Sequence, residues 1–315
     1  MLVSTSRRGG IVIGKFMPPH AGHQYLIQFA RSFTPEITVF VCTLSHEPIP
    51  GELRFAWMSR LFPNVHLVHI TEEIPAASRS SAGAHEIWAE AVRTRLETNP
   101  RYVFASESYG ADLAGALGAQ FVPVDPRREV FPVSAGMIRE HPLAHWRYIP
   151  AVVRPYFARK IAVVSADSRS AARLVEELAQ HYQTPFATDY AAYLQTLELA
   201  GPTIHGPEAM ARAQAASEAA LLEQANRFLF TPTEVLWTLT RTAGEHLQPG
   251  EAGELADRLA REFPHLAPAL VVAVDAPERY REAVRRRGWT LVEAATMSEA
   301  DRLVRQHADR WLTNN

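Results

Sequence analysis

The stretch Gly14-Lys15-Phe16-Met17-Pro18-Pro19-His20-Ala21-Gly22-His23 sets two histidines three residues apart. A glycine stands just before the second, and a lysine five residues ahead of the first. Imidazole N–H groups and an ammonium are donors suited to anionic oxygens. The stretch follows the short apolar run Ile11-Val12-Ile13, so it reads as the turn from a first strand into a helix. A helix start of this kind presents free N–H groups and a partial positive charge, which favours phosphate. Gly14 lets the backbone approach a ligand, and Pro18 and Pro19 stiffen the turn. His20 and His23 can then aim donors at phosphate oxygens while Lys15 adds a full charge. Nucleotidyl transfer asks little else of a protein. The α-phosphorus must be held in line with an attacking oxygen, and charge on the departing pyrophosphate must be offset. The bland alternative is a pair of structural histidines. Composition gives only about 0.03 chance matches to His-x-Gly-His in this chain, so the phosphate reading is preferred.

The elements that must position these residues are legible as alternating segments. Runs 10–14, 36–44, 65–70, 101–106 and 119–124 are nearly continuously apolar, as strands covered on both faces should be. Segments 23–33, 52–62, 84–98 and 110–118 between them read as helices. The alternation predicts a parallel sheet with helices on both sides. A second series follows at 160–166, 227–231, 269–276 and 289–294, and the Ala-rich 207–226 reads as one long helix. The proline-punctuated stretch 141–160 separates the series. The reading is therefore α/β with two domains, 1–158 and 159–315.

The 315 residues are 47% hydrophobic and carry a net charge of −2. That supplies real cores and gives no bulk electrostatic case for nucleic acid or an anionic membrane. The single cysteine, Cys42, lies in an apolar run and can form no internal disulfide. No apolar stretch approaches the roughly 20 residues of a membrane span, and the first residues are too short for a signal peptide. A cytoplasmic, soluble protein is expected, and a homo-oligomer stays open. His181, His205, His246, His265 and His307 show no ligand spacing, so no metal site is expected from them. The basic run 279–287 reads as a solvated helix face.

"GKFMPPHAGH" resembles the H-x-G-H nucleotidylyltransferase superfamily. Its second signature, Ser-x-Thr-x-x-Arg, is matched by Ser134 and Arg139 in "VSAGMIR", with Gly136 where threonine is usual. "EIWAEAV", "VDPRREVFPVSAGMIR" and the linker "HWRYIPAVVRPYF" look like the bifunctional nicotinamide-nucleotide adenylyltransferase/ribosylnicotinamide kinase family. The resemblance covers about residues 10 to 165 well and the remainder weakly. It implies a Rossmann-like nucleotidylyltransferase domain followed by a P-loop-kinase-like domain. It further implies adenylyl transfer from ATP, with Mg²⁺, to nicotinamide mononucleotide. By that resemblance His20, His23, Lys15 and Arg139 are catalytic. Gly14, Phe16, Ser134, Asp125 and Arg128 join His20, His23 and Arg139 in binding ATP. Trp88 stacks on the nicotinamide ring, a favourable cation–π contact, and Arg54 stands near the mononucleotide phosphate. Some relatives carry an N-terminal helix-turn-helix domain; only about ten residues precede the first strand, so that module is not expected.

Two departures qualify the picture. The loop "LSHEPIPG" (44–51) is shorter than in relatives and has no arginine. The P-loop position reads "SADSRSAA" (165–172), with Ser165 and Ser170 at glycine positions, Ala171 for the lysine and Ala172 for the Mg²⁺ ligand. Thr231 and Thr233 replace the later acids. The second domain is therefore expected not to be an active kinase. Two rival readings stand: an H-x-G-H transferase for another acceptor, and a non-enzymatic protein that senses NAD or related nucleotides.

Overall fold

The five apolar runs of the first half become one parallel sheet in the computed structural model, which describes residues 9–72, 84–197, 204–242 and 251–314. The chain divides into two units, Met1–Val153 and Arg154–Asn315. In the first unit the order is β1 (Gly10–Gly14), α1 (Ala21–Phe33), β2 (Ile37–Cys42), α2 (Gly51–Leu61) and β3 (His66–Ile70). Next come α3 (Ala84–Arg93), β4 (Tyr102–Ala105), α4 (Tyr109–Leu117), β5 (Gln120–Pro123) and the short α5 (Ala135–Glu140). The strands lie in the order β3-β2-β1-β4-β5, with Val12 of β1 level with Val39 of β2 and Phe104 of β4.

Successive side chains of a strand point to opposite faces, and here both faces are covered. Ile11, Ile13, Phe40 and Val103 pack with Ala89 and Val92 of α3 and Leu113 and Leu117 of α4. Val12, Val39, Val41 and Phe104 pack with Leu26, Ile27 and Ala30 of α1 and Met58 of α2. The strand order reverses direction between β1 and β4. In open α/β sheets the crevice beyond the strand ends at such a switch point is where ligands bind. The His-x-Gly-His turn leaves β1 at that place.

The second unit runs α6 (Arg154–Phe157), β6 (Arg159–Ser165), α7 (Ser168–His181), α8 (Tyr190–Gln195), α9 (Pro207–Leu222), β7 (Phe228–Thr231) and α10 (Val235–Thr242). It continues α11 (Glu251–Glu262), β8 (Leu270–Val274), α12 (Glu278–Arg286), β9 (Leu291–Ala294) and α13 (Met297–Thr313). Its parallel sheet has the order β7-β6-β8-β9. The basic run of α12 is paired at its surface: Arg281 and Arg285 with Glu278 and Glu293, and Arg287 with Asp257. Among the described residues no helix is long and apolar enough to cross a membrane.

Three of the boundaries that differ from the sequence reading have a bearing on the units and their helices. The division falls at 153/154 instead of 158, because α6 packs on α9 and so goes with the second unit. The helix expected over 84–98 ends at Arg93. There the backbone tightens, with the Arg95 and Leu96 N–H groups donating to the Val92 and Arg93 carbonyls, while the Thr94 hydroxyl bonds back to the Glu90 and Ala91 carbonyls and Arg95 to the Ala91 carbonyl. The long helix stops at Leu222 rather than 226.

Candidate active site

Helix α1 begins with the histidines themselves. His20 is its N-cap, and its Nδ1 accepts from the Gly22 N–H at 3.1 Å. The His23 Nδ1 accepts from the His20 N–H at 3.3 Å. The pair forms a reciprocal cap in which two imidazoles take the parts usually played by a hydroxyl and a carboxylate. Gly22 has a steric reason here: a Cβ would lie 3.0 Å from the His20 ring. With both Nδ1 atoms accepting, each neutral ring carries its proton on Nε2. The rings lie 3.7 Å apart, centre to centre, and Phe16 meets His23 edge-on at 4.9 Å. Phe16 is buried with φ of 47°, a left-handed conformation costing a non-glycine residue about 1–3 kcal/mol.

These side chains open onto a cavity of about 620 Å³. Gly14, Lys15, Phe16, His20 and His23 form one side of its lining. Ser134 and Arg139 reach it from α5. Ser134 caps that helix, accepting from the Met137 N–H at 3.1 Å, and Arg139 bonds to the Met17 carbonyl, joining the second signature to the first turn. Gly136 also lines the cavity; a Cβ there would meet only Ser134 Oγ, at 3.6 Å, so the usual threonine is not excluded by space. Asp125 and Arg128 line it from the loop after β5. The Asp125 carboxylate accepts from the Glu129, Val130 and Phe131 N–H groups, so it shapes its own loop. Arg128 pairs with Glu107 at 3.1 Å. Trp88 packs against the core on α3 and also lines the cavity.

Arg54 sits elsewhere than the resemblance implies. It is fully buried and absent from the cavity lining, behind the turn. Its Nη1 donates to the Lys15 carbonyl at 2.6 Å and the Cys42 carbonyl at 3.3 Å, and its Nη2 to Glu47 Oε2 at 2.5 Å. Glu47 in turn pairs with the Lys15 ammonium and accepts from the Leu44 N–H at 3.0 Å. A wholly buried guanidinium needs its carbonyls and carboxylate, and at this depth it does not reach a phosphate in the cavity.

Burial, aided by the Arg128 charge, pushes the His20 imidazole down to about 4. Burial, then His20 and Arg128, hold His23 well below its ordinary value. Both rings are therefore neutral donors at neutral pH. Burial opposes ionisation of Glu47, but Lys15, the Leu44 N–H and Arg54 together hold its carboxyl below the usual range. Burial pushes the Cys42 thiol up, away from reactivity.

Sequence reasoning missed Glu47, Tyr109 and His85. Tyr109 follows β4, lines the cavity and donates to the Ile13 carbonyl at 2.7 Å. The switch-point rule points to the loop after β4 once the strand order is known. His85 also lines the cavity, 3.4 Å from Asp112. Glu47 stands in the very loop marked only for lacking an arginine.

In the second unit the turn after β6 is short. Asp167 caps α7, accepting from the Ser170 N–H at 3.2 Å and the Ser170 hydroxyl at 2.6 Å, so a carboxylate already sits at that helix start. Ala171 is buried in the core. Thr231 faces Glu218, which pairs with the buried Lys160 at 2.5 Å, and Thr233 faces Thr238 at 3.1 Å. The positions read as lost kinase chemistry are occupied by this closed polar network and by core packing.

No family model matches the chain. It is similar to the trifunctional NAD biosynthesis/regulator protein NadR of Salmonella typhimurium, 29% identical over 201 residues. It is also similar to the NadR of Escherichia coli, 30% identical over 202 residues. Each match takes in 58% of this chain and 48% of the relative, so the chain spans about half the length of these proteins. Two solved NadR structures have the same fold at 19% identity. One, in complex with NR, gives a TM-score of 0.75 and covers 97% of both chains. The other, in complex with NAD and AMP-PNP, gives 0.71 and covers 96% of both. These relatives bear out the resemblance read from the sequence, and the α/β fold with it.

Proposed function

We propose that the first unit transfers the adenylyl group of ATP to nicotinamide mononucleotide, giving NAD and pyrophosphate. One observation carries the reading: two imidazole donors, the Lys15 ammonium and the Arg139 guanidinium border a single cavity at the switch point, with Trp88 on its wall. The NadR relatives, NAD biosynthesis proteins by description, support it. A phosphate oxygen of the acceptor attacks the α-phosphorus and forms the new P–O bond. The bond to the bridging oxygen breaks, and pyrophosphate leaves with that electron pair. His20 and His23 donate through Nε2–H to phosphate oxygens, preorganised by their caps. Lys15 and Arg139 offset the charge gathering on the leaving group.

Mg²⁺ accompanies ATP in this reading. Among the described residues no cluster of three His, Cys, Asp or Glu could cage an ion. The cavity carboxylates are engaged, Asp125 by backbone N–H groups and Glu107 by Arg128. That donor set fits an ion held chiefly by the nucleotide's oxygens and water, the usual habit of Mg²⁺; when bound it offsets polyphosphate charge.

The second unit, in this reading, is not an active kinase, and the protein works in the cytoplasm without nucleic acid or membrane. The loop 44–51 offers the cavity no arginine, which favours a second reading, transfer to another acceptor. Pyrophosphate release by the full chain, measured against a panel of mononucleotides, separates the two. Nicotinamide mononucleotide should give the highest turnover, and His23→Ala should cost on the order of 10²–10³ in rate. Near wild-type rates in a folded His23→Ala protein would sink the mechanism.

A further inference from the structure

The chain has 32 basic side chains, of which only two, Lys15 and Lys160, are lysines. Lys160 is sealed in the core of the second unit. Lys15 is thus the one lysine at the cavity, and the structure ties it to a carboxylate that is not part of the lining. The Glu47 side chain is only 4% exposed, while Lys15 is 31% exposed. Glu47 uses both oxygens: Oε1 takes the Lys15 ammonium, and Oε2 takes Arg54 and the Leu44 N–H. Arg54 also holds the Lys15 carbonyl, so one guanidinium fixes the backbone of Lys15 and the partner of its side chain.

The charges are unequal by design of the contacts: two cations share one anion. If Lys15 leaves, Glu47 keeps Arg54 and is not stranded. An ammonium is a compact charge on a flexible stem and can swing between partners, whereas a guanidinium is tied by its fork. We propose that Glu47 is a positioning residue that parks Lys15 at the cavity wall and yields it to an incoming phosphate, with Arg54 as the counter-ion that stays behind. This deepens the adenylyl-transfer reading and rests on it for the role of Lys15 in turnover.

The small lysine count makes the test direct. Reductive methylation of the full chain with ¹³C-formaldehyde labels at most Lys15, Lys160 and the terminal amine, and Lys15→Ala assigns the Lys15 resonance. Titration with inorganic pyrophosphate should move that resonance in the wild type. Glu47→Gln keeps acceptors for Arg54 and the Leu44 N–H but removes the charge. In it the resonance should start displaced and move less. Glu47→Gln should also lower kcat on the order of ten- to a hundredfold, the scale of a misplaced catalytic group. The KM for ATP should not rise, because the site gains positive charge. In the Lys15→Ala background the same substitution should leave kcat where Lys15→Ala put it. An unchanged Lys15 resonance in Glu47→Gln, or an equal loss of kcat in both backgrounds, would overturn the proposal, since a merely structural carboxylate acts regardless of Lys15. Absence of turnover in the wild type would overturn the reaction instead, and the resonance would then decide the bridge on its own.

Discussion

Removing the titratable cap of α1 without removing the cap itself should flatten the acid sensitivity of the first unit. Asparagine at position 20 can still accept from the Gly22 N–H, since Asn is among the best N-caps. The His20 ring is 7% exposed and titrates at about 4 instead of 6.5, with burial the leading cause. The folded state keeps the ring neutral down to about pH 4, while the unfolded chain protonates it near 6.5. Its stabilisation is therefore full above pH 6.5 and is lost as pH falls towards 4. At 1.36 kcal/mol per pH unit the loss amounts to about 3 kcal/mol. The assay is urea unfolding of the full chain at a series of pH values, followed by NMR resonances of the first unit. The gap between wild type and His20→Asn should change by about that amount between pH 7.5 and 4. Long-range ¹H–¹⁵N spectra should show both rings as Nε2–H tautomers. Parallel loss of stability in the two proteins, or an Nδ1–H tautomer at His20, would refute the argument.

Two further outcomes follow from the same contacts. Trp88→Ala should raise KM for the mononucleotide more than for ATP, by about 0.5–2 kcal/mol if a cationic ring lies on the indole; equal effects on both substrates would mark Trp88 as core only. With γ-labelled ATP and nicotinamide riboside the full chain should transfer no label, because Asp167 already sits at the start of α7 and Ala171 is buried; catalytic transfer would show that the second unit retains chemistry.

Much of the first unit is visible in the sequence because its inner strands β1, β2 and β4 are buried on both faces. Runs such as Ile11-Val12-Ile13 and Val39-Phe40-Val41-Cys42 have no polar residue to blur them, and the sheet forms where they lie. The His-x-Gly-His turn is equally visible, since its chemistry is local. Long-range polar contacts are a different matter. Arg54 looks like an ordinary helix arginine until Glu47 and the carbonyls of Lys15 and Cys42 close around it. Glu47 itself gives no local signal: a carboxylate in a loop reads as solvated. The end of α3 is hidden for a related reason. The pattern stays amphipathic past Arg93, while the backbone tightens to i→i−3 bonds at Arg95 and Leu96, with Thr94 and Arg95 side chains bonding back to the last turn.

Two imidazoles whose centres are 3.7 Å apart would ordinarily invite zinc, nickel or copper. Here the Nδ1 lone pairs are spent on the backbone of the helix start, and each Nε2 carries a hydrogen. From the two rings the cavity therefore meets two hydrogens and no lone pair. A soft cation could be held only by stripping a proton from Nε2 or by unpicking the first turn of α1. The chain can keep a histidine pair at the mouth of β1 without poisoning itself with the metals of its surroundings.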